Sequence, residues 1–205
     1  MSQAYNDKET NRLFPVFLKL ENLSVLIVGG GKIGLEKLSA ILSNSPETDI
    51  KVVSITISEE VRTLAANYPN VELKERVFLP LDVDNRDVVI IAIDDKKESK
   101  RIRDIVKEKK KLVNVADKPE LCDFYMGSIV QKGNLKIGIS TNGKSPTIAK
   151  RLKDLFNELL PEEIDDLLDN MQEIRNRLKG DFNDKVNQLN AITKDFVLDK
   201  EADVK

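Results

Sequence analysis

From about residue 25 to residue 115, short apolar runs alternate with stretches whose apolar residues recur at helical spacing. Val25-Leu26-Ile27-Val28 is a β-branched run closed by glycines, the pattern of a strand buried on both faces. Beyond the glycines Ile33, Leu38, Ile41 and Leu42 share one helical face until the breaker cluster Ser43-Asn44-Ser45-Pro46. The unit then repeats. Ile50 to Ile57 reads as a second strand, and Ser58 as the cap of a helix carrying Leu64 and Tyr68. Val71 to Arg76 alternates like a half-exposed strand, Val88 to Ile93 is the most apolar strand of the chain, and Leu112 to Val115 is a fifth. Between the last two, Ile102, Ile105 and Val106 mark a helix running into Lys107-Glu108-Lys109-Lys110-Lys111, expected to be a solvated basic end favoured by the helix dipole. This alternation predicts a parallel sheet with its ligand beyond the carboxyl ends of the strands.

On either side of that region the pattern differs. Phe14-Pro15-Val16-Phe17-Leu18 is expected to be an edge strand or a packing flap. Phe124 to Val130 and Leu135 to Ser140, joined by Gln131-Lys132-Gly133-Asn134, read as a hairpin with no crossover helix. Such a hairpin has too little local sequence to bury both faces, so a homodimer is expected. The remainder is helical. Ile148, Leu152, Leu155, Phe156 and Leu159 form one stripe, Ile164, Leu167, Leu168, Met171, Ile174 and Leu178 a second, and Val186, Leu189, Ile192, Phe196 and Val197 a third. The stripes are expected to be core, with Asp199 to Lys205 frayed.

Composition removes whole classes of chemistry. With 205 residues, 40% of them hydrophobic, the chain can bury a real core. A net charge of -2 argues against nucleic-acid binding, which needs a clustered basic excess. The polar start Met1 to Thr10 has no apolar signal core and no run is long enough to span a bilayer, so no membrane partner and a cytoplasmic location are expected. Histidine is absent, which excludes a Ser-His-Asp triad and His-ligated zinc, and the single Cys122 excludes an intrachain disulfide. Acid or base chemistry must come from carboxylates, Lys, Tyr or a cofactor.

The glycines carry the first chemical signal. Gly29, Gly31 and Gly34 fit G-x-G-x-x-G between a strand and a helix, the Rossmann arrangement in which the turn admits a pyrophosphate to the helix N-terminus. The acid that usually ends the next strand and holds the ribose hydroxyls is missing. Thr56 and Ser58 occupy that region, Glu59 lies just beyond, and no arginine stands there for a 2′-phosphate, so NAD and NADP both stay open.

Four stretches in order, Gly29-Gly30-Gly31-Lys32, Asn114-Val115-Ala116-Asp117, Ser128-Ile129-Val130 and Ser140-Thr141-Asn142-Gly143-Lys144-Ser145-Pro146, resemble the precorrin-2 dehydrogenases, also described as sirohydrochlorin ferrochelatases or the N-terminal part of sirohaem synthases. The resemblance covers nearly the whole chain and implies a Rossmann NAD-binding domain over 1–116, a β-containing dimerisation region over 117–144 and a helical domain over 145–205. It implies NAD-dependent oxidation of precorrin-2 to sirohydrochlorin, some members also inserting ferrous iron to make sirohaem. The family's catalytic aspartate carries over to Asp117, which would also serve iron in a chelatase; no metal cluster with ligand spacing stands out otherwise. Family members often have threonine at Ile93, glycine at Asn142 and arginine at Lys150.

The candidate cofactor contacts are therefore Gly29, Gly30, Gly31, Lys32, Ile33, Gly34, Thr56, Ile93 and Asp94, and the candidate substrate contacts Asn114, Ser128, Ser140, Thr141, Asn142, Lys144 and Lys150. Asp117 follows a strand whose carboxyl end faces the nicotinamide in this fold, although Asp before Lys118-Pro119 is also good turn chemistry. Ser145 and Pro146 read as a helix cap and first position, and a helix N-terminus flanked by Lys144 and Lys150 attracts the carboxylates of a tetrapyrrole. Two alternatives stand beside the enzyme: a non-catalytic NAD-sensing Rossmann module, and a Rossmann oxidoreductase acting on another small substrate.

Overall fold

The computed structural model describes residues 10–193. The positions Phe196, Val197 and Asp199 to Lys205 considered above lie outside the described residues. Contacts divide the chain into two compact units, one Arg12–Met126 and the other running from Gly127 onward.

The first unit contains β1 (Ser24–Gly30), α1 (Lys32–Asn44), β2 (Asp49–Ile57), α2 (Glu59–Ala65), β3 (Val71–Glu75), β4 (Val88–Ile91), α3 (Lys96–Glu108) and β5 (Leu112–Val115). All strand pairs are parallel and the order across the sheet is β3-β2-β1-β4-β5. Successive residues of a strand point to opposite faces. Val25 and Ile27 accordingly pack with Leu38, Ile41 and Leu42 of α1, while Leu26 and Val28 pack with Ile102 and Val106 of α3. A sheet covered on both faces requires continuous apolar runs, and that is why β1 and β4 are legible as such.

Several boundaries differ from expectation. Strand β4 ends at Ile91, leaving Ala92 and Ile93 outside the ladder. Helix α2 ends at Ala65, so Tyr68 lies beyond it, and the residues α2 buries are Val61 and Ala65. Between β3 and β4 there is only a short 3₁₀ turn, Pro80–Val83. Its anchor is the buried Asp82, whose carboxylate accepts Arg76 Nη2 at 2.6 Å, Arg76 Nη1 at 2.8 Å and the Leu79 N–H at 2.9 Å. The basic stretch at the end of α3 is not simply solvated. Lys107 pairs with Asp123 at 2.6 Å, Lys109 with Asp84, and Lys111 lies 3.9 Å from Asp87, because those carboxylates line the amino ends and loops beside β4 and β5. Phe14 to Leu18 is neither strand nor flap: Phe14, Val16, Phe17 and Leu18 are all exposed and hold no regular structure.

The second unit begins with an antiparallel hairpin of β6 (Ser128–Lys132) and β7 (Leu135–Ile139). The hairpin starts later than expected, since Phe124 and Met126 pack on the core of the first unit, and its turn is the two residues Gly133 and Asn134. Helices α4 (Pro146–Leu159), α5 (Ile164–Arg177) and α6 (Phe182–Thr193) follow. Their stripes are not core. Among the described residues α4 buries Ala149, α5 buries Ile164 and α6 buries none, while Ile148, Leu155, Leu159 and Leu168 are exposed. Amphipathic spacing records that a face favours burial, and among the described residues of this unit few apolar side chains are buried against these faces.

Candidate functional site

The glycine turn between β1 and α1 shows which of its glycines the chain itself needs. A Cβ on Gly29 would lie 2.2 Å from the Ala92 carbonyl oxygen, and one on Gly34 would lie 2.1 Å from the Gly29 carbonyl oxygen, so these two admit close strand and helix packing. Gly31 is different: it is exposed, and a Cβ there meets nothing within 4 Å. Helix α1 starts at Lys32 with no side-chain cap and no acid in its first turn. By contrast, Ser58 caps α2 through the Val61 N–H and Asp95 caps α3 through the Lys97 and Glu98 N–H groups. An uncapped amino end of a 13-residue helix, opening at Gly31 onto free space, fits a dinucleotide pyrophosphate. Lys32 is exposed and Ile33 half-buried at the same turn.

Beside this turn lies the end of β2. Gly30 pairs with Ile57, and the Ser58 N–H donates to the Gly30 carbonyl at 2.9 Å. Thr56 is exposed, and its carbonyl accepts Ser54 Oγ at 2.8 Å. Two residues that sequence reasoning missed stand here. Glu75, the last residue of β3, accepts the Ile57 N–H at 3.0 Å with Oε1 and Arg62 Nη2 at 2.6 Å with Oε2. Arg62 comes from α2, so an arginine does reach this corner, although none lies in the sequence directly after the strand.

Past β4, Ile93 is half-buried against the core and Asp94 is exposed. The Ile93 carbonyl lies 3.3 Å from Ser99 Oγ and 3.5 Å from Lys118 Nζ, which donate to it. Past β5, the buried Asn114 donates from Nδ2 to the Phe124 carbonyl at 2.8 Å, tying the following loop to the strand. The Cys122 thiol reinforces that loop: its sulfur accepts the Val115 N–H at 3.1 Å and sits 3.2 Å and 3.3 Å from the Val115 and Lys118 carbonyls. Burial pushes this thiol upward from its ordinary pKa. The chain turns sharply at Asp117, which is exposed with φ +58 and whose carboxylate has no hydrogen bond or ion pair among the described residues. Since Val28 pairs with Ile91 and Ile91 with Val115, Asp117 and the glycine turn leave the same edge of the sheet.

In the second unit Ser128 is half-buried and paired with Ile139 at the open end of the hairpin. The loop after β7 is held by its own hydroxyls. The Asn142 N–H donates to Ser140 Oγ at 3.2 Å, the Ser145 N–H to Thr141 Oγ1 at 3.2 Å, and Ser145 Oγ caps α4 by accepting the Ile148 N–H at 3.2 Å. Hydroxyls that accept in this way keep their own hydrogen for an acceptor such as a carboxylate. Asn142 takes φ +53, a left-handed conformation that Asn tolerates better than most residues. Lys144 and Lys150 are exposed at the start of α4. No group of three or more His, Cys, Asp or Glu able to hold a metal occurs among the described residues.

Residues 16–128 match a family model described as putative NAD(P)-binding, and residues 132–159 one described as sirohaem biosynthesis protein, central. The chain belongs to the putative NAD(P)-binding family. It is 34% identical over 148 residues to a siroheme synthase of Thioalkalivibrio sulfidiphilus, covering 72% of this chain and 30% of that protein. A siroheme synthase of Psychrobacter cryohalolentis is 37% identical over 149 residues, covering 73% and 28%. The chain thus spans about 30% of the length of these curated relatives. Among solved structures it is similar to SirC, a precorrin-2 dehydrogenase, at 27% identity and a TM-score of 0.69, covering 89% of this chain and 90% of the other.

Within the parallel-sheet unit, Glu75, Arg62, Lys118 and Cys122 are the residues near the sheet edge that motif spacing did not single out. Each acts across a strand or loop boundary, so no local pattern marks it. Lys118 had one available signal, its position directly after Asp117. Its Nζ lies 3.4 Å from Ser99 Oγ, which places a cation beside the end of β4.

Proposed function

We propose that this chain is a precorrin-2 dehydrogenase that oxidises precorrin-2 to sirohydrochlorin with NAD as acceptor. The reaction removes a hydride from one ring carbon and a proton from the macrocycle, giving sirohydrochlorin, NADH and H⁺. NAD bound at the glycine turn supplies the hydride acceptor. The main-chain N–H groups of Gly31, Lys32 and Ile33 would hold its pyrophosphate, with Gly29, Gly30 and Gly34 shaping the turn and Thr56, Ile93 and Asp94 flanking the dinucleotide.

The observation that carries the proposal is Asp117: an exposed carboxylate, without a partner among the described residues, on a left-handed residue at the edge that also bears the glycine turn. A carboxylate held in this way is available to take the proton, in a chain with no histidine to do so. Ser128, Ser140, Thr141, Asn142, Lys144 and Lys150 would bind the substrate carboxylates by hydroxyl, amide and ammonium contacts, whereas Asn114 would act through the loop it anchors. The exposed helix faces of the second unit support a homodimer, and the hairpin region is its proposed contact. A cytoplasmic location is part of this reading. Ferrous iron would be a second substrate, met by Asp117, if the chain also chelates.

The test is single-turnover oxidation of precorrin-2, followed by absorbance with and without ferrous iron, for the wild type and Asp117→Asn. Asn tolerates the same backbone conformation but cannot accept the proton, so the rate should fall roughly 10²- to 10⁴-fold while NAD binding and the melting temperature persist. A near-normal rate in the folded variant removes Asp117 from the mechanism. A wild type that binds NAD without oxidising precorrin-2 would instead match the sensing alternative.

A further inference from the structure

The end of β2 poses a selectivity problem that its own residues do not solve. In a Rossmann sheet the adenosine ribose lies beyond this strand, and an acid there normally accepts the 2′-hydroxyl. Thr56, Ile57 and Ser58 provide none. Strand β2 runs past the last paired position of β3, Ser54 opposite Glu75, so the Ile57 N–H has no ladder partner on that side. Glu75 reaches around to fill the gap. One carboxylate oxygen accepts Ile57 N–H at 3.0 Å and the other accepts Arg62 at 2.6 Å. Ile57 is paired with Gly30, so this carboxylate is one residue removed from the cofactor turn. Arg62 also lies 3.7 Å from Glu59, leaving one guanidinium between two carboxylates. The Ile57 N–H, and after it Arg62, hold Glu75 below the usual carboxylate range, so it is charged at neutral pH.

We propose that Glu75, a residue of the neighbouring strand, selects NAD over NADP by keeping Arg62 occupied and setting negative charge where a 2′-phosphate would lie. A ribose hydroxyl is a donor and is compatible with this corner. A phosphate dianion would meet Glu75 and Glu59 and would find Arg62 already paired. The inference rests on the assignment of the glycine turn as the dinucleotide site, and it holds whether or not precorrin-2 is the substrate.

The experiment is a fluorescence titration of the full chain with NADH and with NADPH. Wild type should bind NADH at least about ten-fold more tightly. Glu75→Gln keeps an acceptor for Ile57 N–H but removes the charge and releases Arg62. The ratio of the two dissociation constants should then move toward NADPH by roughly ten-fold, the scale of one charge-assisted contact. In the double variant with Arg62→Gln that gain should vanish. Arg62→Gln alone, at a part-exposed position that tolerates change, should shift the ratio further toward NADH. Equal binding of the two by wild type, an unmoved ratio in Glu75→Gln, or a shift toward NADPH in Arg62→Gln would each overturn the inference. If Glu75→Gln fails to fold by circular dichroism, the Arg62→Gln titration decides alone. Failure of wild type to bind either dinucleotide overturns the cofactor assignment and this inference together, whereas selective binding without precorrin-2 oxidation overturns only the proposed activity.

Discussion

In the unit Arg12–Met126 the four residues Val25 to Val28 are each at most 4% exposed, and α1 and α3 seal the two faces of the sheet. In the unit from Gly127 onward, among the described residues, the apolar side chains buried to the same class are Val130, Ala149 and Ile164, while Ile148 is 47%, Leu155 46% and Leu159 66% exposed. Helices on both faces close over the sheet of the first unit. The second has apolar faces in search of a cover, which is the physical basis for expecting a second copy of the chain against it.

Core truncation should separate the units most clearly. Ile27→Ala, in the sealed sheet, should destabilise the first unit by about 3 kcal/mol in a urea titration. Leu155→Ala should change stability by less than about 0.5 kcal/mol in a monomer, as surface substitutions do. In a dimer it should lower the association constant and make the melting temperature depend on protein concentration. A loss for Leu155→Ala that equals that of Ile27→Ala and is independent of concentration would erase the distinction.

The next effect is electrostatic and belongs to the first unit. Burial alone would raise the Asp82 carboxyl, but the Arg76 fork and the Leu79 N–H outweigh it and hold the group below its ordinary value. A carboxyl depressed in the folded state contributes stability above its unfolded pKa, near 4, and that contribution disappears as the pH falls through the folded value. Asp82→Asn should therefore lose about 2 kcal/mol at pH 7 and show a flatter acid limb in pH-dependent denaturation. A variant with an acid limb identical to wild type would show that the pair is inert.

A smaller, local effect sharpens the picture of the second unit. Gly133 has φ +49 and a Cβ there would lie 1.6 Å from Asp165 Oδ2, whose partner oxygen accepts the Asn134 N–H at 2.7 Å. Gly133→Ala should cost about 1 kcal/mol and loosen the hairpin without touching the sheet, as read by hydrogen exchange at β6 and β7. Protection that stays at the wild-type level would mean that α5 does not hold the turn. Smallest in stability is Gly31→Ala, expected within about 0.5 kcal/mol of wild type because its Cβ enters open space. Calorimetric titration should nevertheless show NAD binding weakened roughly ten-fold, the methyl occupying room that the pyrophosphate needs. Unchanged affinity would make the glycine turn purely structural.

The sequence alone determined the strands and helices of the parallel sheet, the glycine turn, and the caps at Ser58 and Ser145. Each has a local cause: burial on both faces demands unbroken apolar runs, close packing demands glycine, and a serine just before a helix supplies an acceptor for its open N–H groups. The Asn114 to Asp117 motif likewise marked the edge where the unpartnered carboxylate stands. Only the tertiary structure decided that Glu75 serves Ile57 and Arg62, that Arg76 and Asp82 replace a crossover helix, that Cys122 closes the loop after β5, and which lysines at the end of α3 are paired. These contacts join residues from different strands and loops, so they leave no periodic trace along the chain. The same reason limited the helical stripes of the second unit: spacing shows that a face is apolar, while what covers it depends on surfaces supplied from elsewhere.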